Sequence, residues 1–115
     1  MGFYKKTTEK RKYPRVPISV RVVNITSGNF SYYLATNISR GGMFLKSAEP
    51  LAEGTDLTLQ FELPDQEKKI QLKARVLRNQ KSAPGFPHPS GMGVKFTELE
   101  DQDKAAIQKF VERKT

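Results

Sequence analysis

Two arginines near the start of the 115-residue chain, Arg11 and Arg15, have the type and spacing to bind an anionic ligand. Pro14 lies between them; it cannot continue a helix, and it pushes the preceding residue towards extended geometry. We therefore expect both arginines on the same side of an extended segment, up to about 13 Å apart. A guanidinium group can bind phosphate through two hydrogen bonds, stack on a purine, or donate to O6 and N7 of guanine. The pair suits a ligand with two anionic or planar groups, although two surface arginines beside a strand would have the same spacing.

A second candidate site is the segment from Asn37 to Gly42, between two predicted strands. Asn37 and Ser39 supply short polar side chains at alternate positions, with Ile38 between them facing the interior. Gly41 and Gly42 can adopt positive φ and allow a ligand to approach the backbone. The amide and the hydroxyl both donate and accept hydrogen bonds, which suits the edge of a guanine. The same residue types are typical of any turn between strands, so this segment alone does not establish a site.

Positive charge is concentrated at the start of the chain. The whole sequence has 20 Lys and Arg against 12 Asp and Glu, a net charge of +8. Residues 1–24 contain one acidic residue, Glu9, and seven basic ones: Lys5, Lys6, Lys10, Arg11, Lys12, Arg15 and Arg21. They therefore account for six of the eight net charges. A basic arm on a nearly neutral body favours an anionic partner, although a solubilising tail would have the same composition.

The composition excludes several classes of chemistry and of location. The chain has no Cys and a single His, His88, which excludes disulfides, thiolate nucleophiles, zinc fingers and Cys/His catalysis. Its acidic residues fall at predicted turns and at the start of a predicted helix, so we expect no metal cluster, no cofactor and no enzyme. No apolar run approaches the roughly 18 residues of a membrane span, and residues 1–13 lack the apolar core of a signal peptide. We therefore expect a cytoplasmic protein without membrane insertion.

Most of the chain has the residue pattern of a β protein. Apolar residues alternate with polar ones from Val16 to Phe96, a period typical of strands. Turn signals such as Gly28-Asn29 divide this region, and a proline-rich stretch at 80–90 cannot form a central strand. The pattern predicts six strands, at residues 16–22, 30–37, 43–47, 57–63, 70–76 and 92–96.

The last segment changes to a helical period. With Asp103 as the exception, its apolar residues fall near one face of a helix: Leu99, Ala106, Ile107, Phe110 and Val111. Thr97 and Glu100 have the spacing of a capping box that would start this helix. Short strands followed by one amphipathic helix predict a mainly β fold, a six-stranded antiparallel small barrel with a C-terminal α-helix. We expect residues 1–9 to be a flexible basic N-terminal arm and residues 10–115 to be a single domain.

Together, and in this order, the two candidate sites resemble the paired motifs of the PilZ domain, a bacterial receptor for the second messenger cyclic di-GMP. Arg11 and Arg15 match the RxxxR motif of the family's N-terminal arm, and Asn37, Ser39 and Gly42 match its (D/N)xSxxG motif. The resemblance continues through the strand pattern and the GMGVKF segment into the final helix, and it covers nearly the whole chain. It implies that the two arginines bind phosphates and guanine bases, while the second motif contacts a guanine from the barrel surface.

The resemblance also concerns the neighbours of these residues. Asn37 stands where many members carry Asp, which offers guanine two acceptors instead of one. Lys10 occupies the position before RxxxR that is associated with the number of ligand molecules bound. Arg40 and Gly41 lie within the second motif, where Arg40 would either contact a phosphate or face solvent.

The function that the resemblance implies is that of a non-enzymatic switch. Cyclic di-GMP would join the arm to the second motif, order the arm, and signal to a protein partner that controls motility, pili or exopolysaccharide. One alternative is a degenerate member that serves as a protein-interaction module without ligand. Another is a small barrel that stacks single-stranded nucleic acid on Tyr13, Tyr32 and Tyr33. Because Tyr32 and Tyr33 would point to opposite faces of one strand, we expect no DNA or RNA partner.

Overall fold

Six strands close into an antiparallel barrel. The computed structural model describes residues 14–28, 30–64, 68–81 and 90–115. Its elements are β1 (Val16–Asn24), a short 3-10 helix (Thr26–Gly28), β2 (Ser31–Ile38), β3 (Gly42–Lys46), β4 (Asp56–Glu62), β5 (Lys69–Gln80), β6 (Gly91–Glu98) and α1 (Asp101–Lys114). The strand order around the barrel is β1-β2-β3-β6-β5-β4, and β1 pairs with β4 to close it. The predicted fold class, a six-stranded antiparallel barrel with a C-terminal helix, is therefore confirmed.

The alternating pattern of the sequence separates the inside of the barrel from its outside. In β4, Leu57, Leu59 and Phe61 are buried, while Thr58 and Gln60 between them are only partly buried. The other strands add inward apolar side chains in the same way, and one continuous hydrophobic cluster results. Burial of this cluster is the main contribution to the stability of the fold.

β5 is longer than the sequence pattern indicates. Alternation predicts a strand at 70–76, but pairing with β6 continues as far as Gln80. The register shifts between Val76 and Arg78, so Leu77 is an extra residue in a β-bulge. Both Leu77 and Arg78 are exposed, which interrupts the alternation that the prediction relied on.

The helix begins later than the predicted capping box. Thr97 still belongs to β6, and Glu100 is the N-cap residue, with no side-chain capping hydrogen bond. The capping box of Thr97 and Glu100 is therefore wrong, because strand pairing continues to Glu98, which is paired with Lys73 of β5. The predicted apolar face is correct: Ala106, Ile107, Phe110 and Val111 are buried in the hydrophobic cluster, and Leu99 packs against it.

Asp103 is the one buried charged residue of the described chain. It lies on the apolar face of α1 with 5% of its surface exposed. The Nζ atom of Lys68, just before β5, is 3.6 Å from its Oδ1 atom. The partly exposed Lys68 thus compensates the charge of Asp103, the residue that did not fit the apolar face of the predicted helix. Within the described ranges, no helix has the length and hydrophobicity needed to cross a membrane.

Candidate functional site

Six of the eight predicted site residues lie in the described part of the chain. They are Arg15, Asn37, Ser39, Arg40, Gly41 and Gly42. Lys10 and Arg11 are outside the described residues, as are the predicted arm at 1–9, Tyr13 and His88. The structure therefore gives a geometry for one of the two RxxxR arginines and for all of the second motif.

Arg15 and Asn37 connect the two motifs. The antiparallel pairing of β1 with β2 puts Pro17 opposite Asn37, so the residues just before β1 lie beside the end of β2. Nη1 of Arg15 donates a hydrogen bond to Oδ1 of Asn37 over 3.3 Å. The two motifs are 22 residues apart in sequence and meet on the outer surface of the barrel.

A β-bulge in β2 turns Asn37 outward. Ala35 is paired with Leu45 of β3 but Asn37 with Phe44, so Thr36 is an extra residue on β2. Strict alternation from buried Ala35 would place Asn37 in the core and Ile38 outside. The bulge reverses this parity: Ile38 is fully buried and Asn37 is half-buried with its amide at the surface. The local irregularity is thus what makes the amide available to a ligand.

Ser39 organises the turn between β2 and β3. Its backbone N–H donates to the carbonyl of Gly42 over 2.8 Å, and its Oγ accepts a hydrogen bond from the Gly41 N–H over 3.2 Å. Its hydroxyl also donates to the Gly42 carbonyl at 3.4 Å. Ser39 is buried, while Arg40 at the tip of the turn is exposed. The hydroxyl therefore has partners within the turn itself, and Arg40 extends away from the barrel interior.

Gly41 and Gly42 do not adopt the positive φ that glycine permits. Among the described glycines, only Gly28 and Gly54 have positive φ. Gly42 lacks a side chain for a different reason: a Cβ atom there would clash with the backbone carbonyl of Val94 on the neighbouring strand β6. Close approach of two strands, and not an unusual backbone conformation, explains this glycine.

A groove at the Arg15–Asn37 contact crosses the outer surface of four strands. It has a volume of about 260 Å³. Its walls come from the end of β2 and from β3, β6 and β5, together with the residue preceding β1: Arg15, Thr36, Asn37, Phe44, Leu77, Arg78, Gln80, Gly93 and Val94. We call this the arginine groove. Three larger hollows, of about 610, 440 and 360 Å³, contain none of the predicted site residues.

The strand register explains how these groove residues come together. Asn37 is paired with Phe44, Phe44 with Gly93, and Gly93 with Arg78, so one row runs across four adjacent strands. A Cβ atom on Gly93 would meet nothing within 4 Å, so this glycine leaves open space in the row. The bulge at Leu77 brings two consecutive side chains, Leu77 and Arg78, to the same groove.

Sequence reasoning missed Phe44, Gly93 and Arg78 as site residues. Gly93 lies in the GMGVKF segment, but neither that segment nor the surroundings of Phe44 and Arg78 indicated a ligand contact, and the three residues meet because of the register between β3, β6 and β5. Once the strand pairing is known, these residues can be identified because they lie in the same cross-strand row as Asn37.

The chemistry of the arginine groove is cationic, polar and partly aromatic. Arg15 and Arg78 supply two guanidinium groups, Asn37 supplies an amide, and Phe44 supplies a half-buried ring. Guanidinium groups and aromatic rings both favour planar ligands, and guanidinium also binds phosphate. Among the described residues there is no cluster of His, Asp and Glu that could hold a metal ion.

Solved structures with the same fold include three bacterial proteins. MotI/DgrA of Bacillus subtilis, an inhibitor of motility, has a TM-score of 0.76 and 26% identity, with 91% of this chain and 50% of that chain covered. The PilZ domain of Escherichia coli YcgR with c-di-GMP has a TM-score of 0.67 and 14% identity, with 92% of each chain covered. K. pneumonia MrkH in complex with c-di-GMP has a TM-score of 0.74 and 17% identity, with 89% of this chain and 51% of that chain covered.

The present chain therefore spans about half the length of MotI/DgrA and of MrkH. No curated protein sequence matches it significantly. The family model of the PilZ domain matches residues 9–113, which is almost the entire sequence. This chain belongs to the PilZ domain family.

Proposed function

We propose that this protein is a non-enzymatic receptor for cyclic di-GMP, which it binds at the arginine groove. The observation that carries the proposal is the 3.3 Å hydrogen bond between Arg15 and Asn37, which joins the family's two motifs at one end of the groove. Structures of YcgR and MrkH, which share this fold, contain c-di-GMP. A groove with basic, amide and aromatic groups matches a ligand with two phosphates and two guanine bases.

Five of the groove residues have a proposed role. Arg15 binds a phosphate or stacks on a guanine, and the Asn37 amide donates to and accepts from the guanine edge. Arg78, on the far side of the row from Asn37, supplies a second cation, and Phe44 supplies an apolar surface for a base. Gly93 keeps the floor of the groove open, because any larger side chain would project into it.

The turn residues and the N-terminal residues complete the proposed site. Ser39 shapes the turn through its own hydrogen bonds, Gly42 lets β6 pack closely beside the turn, and Gly41 allows the ligand to approach the backbone next to exposed Arg40. The groove, at about 260 Å³, is at the small end of ligand pockets and holds only part of a dinucleotide. Lys10 and Arg11 are proposed to cover the remainder of the ligand.

Ligand binding is proposed to order residues 5–15. Fixing the backbone of a residue costs about 1–2 kcal/mol, so several charge-assisted hydrogen bonds of about 1.5–3 kcal/mol each are needed to offset it. The concentration of positive charge in this segment favours binding to a dianion, which relieves the repulsion. The ordered segment then signals to a protein partner in the control of motility, pili or exopolysaccharide.

Isothermal titration calorimetry tests the proposal, with cyclic di-GMP as ligand and cyclic di-AMP as control. We expect saturable binding of the guanine dinucleotide only, since adenine lacks the O6 acceptor and the exocyclic amine of guanine. A third titration uses a single-stranded RNA oligonucleotide at two salt concentrations. Equal binding of the two dinucleotides, binding of neither, or RNA binding that is steeply salt-dependent and not competed by cyclic di-GMP would contradict the proposal.

A further inference from the structure

An apolar stripe lies on the outside of the barrel, and none of its residues lines the arginine groove. Four large hydrophobic side chains are exposed in the described chain, and three of them lie at alternate positions in one segment, with Phe30 just before β2 and Tyr32 and Leu34 within it. Phe30 is 65% exposed, Tyr32 60% and Leu34 40%. Because side chains alternate along a strand, Tyr32 and Leu34 point to the same outer side of β2, while Tyr33 packs against the core and Ala35 is buried. Phe30, directly before the strand, adds a third exposed apolar side chain, so the stripe faces solvent.

Two cationic side chains border this stripe. Leu34 is paired with Arg21 of β1 on one side and with Lys46 of β3 on the other, and both basic residues are exposed. The ion pairs at Lys68, Lys73 and Arg75 involve other cations. Among the described residues, neither Arg21 nor Lys46 has a carboxylate at ion-pair distance, although Glu62 lines the same hollow as Arg21. We call the five residues Phe30, Tyr32, Leu34, Arg21 and Lys46 the docking stripe.

The barrel does not need apolar residues at these positions. The inward residues of β2 already complete the core, and outward positions of a half-solvated sheet are ordinarily polar. Exposed apolar side chains that form a contiguous strip with a polar border mark interaction surfaces. Tyr and Arg, both present here, are also the residues that most often dominate binding energy at protein interfaces.

We propose that the docking stripe binds a partner protein through a segment that presents apolar and acidic side chains together. The apolar residues would cover the three exposed side chains, and the carboxylates would pair with Arg21 and Lys46 at the border. This proposal does not depend on cyclic di-GMP binding. The proposal identifies one surface of the barrel and the type of side chains in the partner segment that binds there.

Charge argues against the chain covering its own docking stripe. Association of two copies through this stripe brings a second Arg21 and a second Lys46 to the same interface, so like charges meet. The first 13 residues carry five basic residues against one acidic residue and would also be repelled by the two cations. An acidic segment has the complementary charge.

Selection from a phage library of random 12-residue peptides tests the proposal. Fluorescence anisotropy then measures the affinities of the strongest-binding peptides in synthetic form. We expect enrichment of peptides with both apolar and acidic residues. Their affinity should fall at least tenfold in Tyr32→Ser and at least tenfold in Arg21→Glu. The matched controls are Leu77→Ser, which removes a side chain of nearly equal exposure (59%), and Lys109→Glu, which reverses an exposed charge on α1.

The controls should change peptide affinity less than twofold. Enrichment of basic or purely apolar peptides, no enrichment, or equal losses in stripe and control variants would overturn the proposal. Sedimentation velocity tests whether a second copy of the chain covers the docking stripe. A dimer that Tyr32→Ser converts to a monomer would show that it does, and this result would also overturn the proposal. Circular dichroism on all four variants separates this result from misfolding. Calorimetry with cyclic di-GMP on Tyr32→Ser and Arg21→Glu, whose residues do not line the arginine groove, separates it from failure of the proposed function.

Discussion

Arg15 donates a hydrogen bond to Asn37 over 3.3 Å, at the point where the residues before β1 pass the end of β2. The contact is exposed, so water competes with it and its own contribution to stability is small. A ligand can therefore replace it at little cost. The contact holds a cation and an amide side by side at the edge of the arginine groove, which is the arrangement that a phosphate next to a guanine requires.

Replacing Arg15 should weaken the binding of cyclic di-GMP. We expect Arg15→Ala to reduce affinity at least tenfold, equivalent to about 1.4 kcal/mol, because a charge-assisted contact to the ligand is lost. Arg11→Ala should have an effect of the same size. Calorimetric titration measures both, with Arg113→Ala at the end of α1 as the control. Unchanged affinity in the Arg15 variant would remove this residue from the site.

Arg78 and Arg75 provide a matched pair on one strand. Both are exposed on β5, but only Arg78 borders the arginine groove. We expect Arg78→Gln to lower the affinity for cyclic di-GMP about fivefold or more, since it removes a cation opposite Asn37, and Arg75→Gln to leave it unchanged. Titrations at low and moderate salt distinguish a local contact from a general charge effect. Equal losses in the two variants would mean that only net charge matters.

Gly93 and Gly42 should respond to substitution in opposite ways. Added atoms at Gly93 meet no neighbour within 4 Å, so Gly93→Val should keep the melting temperature and fill the groove, with at least tenfold weaker ligand binding. At Gly42, a Cβ atom would clash with the Val94 carbonyl, so Gly42→Ala should cost about 1–3 kcal/mol of unfolding free energy. Thermal denaturation and calorimetry measure the two effects. Loss of stability in the first variant with full stability in the second would contradict this assignment.

Much of the fold follows from the sequence because hydrophobic periodicity is a local property. Alternation placed the six strands, and the helical period placed Ile107 and Phe110 on the buried face of α1. The capping box failed because Thr97 is held in β6 by pairing with a distant strand, and such tertiary contacts override local preference. The bulge at Leu77 likewise has no local signature.

The candidate site was less predictable than the fold. Asn37, Ser39 and Gly42 belong to a contiguous motif, so sequence spacing was enough to single them out. Arg78 and Gly93 belong to the groove only through strand register, which sequence alone does not determine. The resemblance to a family implied that Arg15 and Asn37 bind one ligand but not that they contact each other, and the geometry of their contact depends on the bulge at Thr36.

The carboxyl of Asp56 should titrate at unusually low pH. The hydrogen bond from Arg75, 2.7 Å long, lowers the pKa of Asp56 below its ordinary value of 3.8, and the charge of Arg75 acts in the same direction. Because the folded-state pKa is the lower one, the interaction stabilises the protein above pH 3.8 and is lost as the pH falls through the folded-state pKa. Carbon-13 NMR titration should show the Asp56 pKa rising towards 3.8 in Arg75→Gln and not in Lys69→Gln. The same low pKa in both variants would exclude Arg75 as the cause.

Lys68 should matter more to stability than its neighbour Lys69. Asp103 is buried on α1, and the Nζ atom of Lys68, 3.6 Å away, is its ion-pair partner. Removing that cation leaves a buried carboxylate without a partner, which lowers the free energy of unfolding. Water near the partly exposed lysine limits this decrease. We expect Lys68→Met to reduce the free energy of unfolding by about 1–2 kcal/mol and Lys69→Met, at an exposed position, by less than about 0.5 kcal/mol.

Denaturant unfolding measures both variants, and Asp103→Asn completes a double-mutant cycle with Lys68→Met. If the ion pair holds α1 on the barrel, the loss caused by Lys68→Met should shrink once Asp103 is already neutral, because no buried charge then remains without a partner. The effect of Asp103→Asn should likewise differ between the wild-type protein and the Lys68→Met variant, by the same interaction energy. Equal effects of Lys68→Met in the presence and absence of the Asp103 charge would mean that the lysine contributes through the packing of its aliphatic chain and not through its charge.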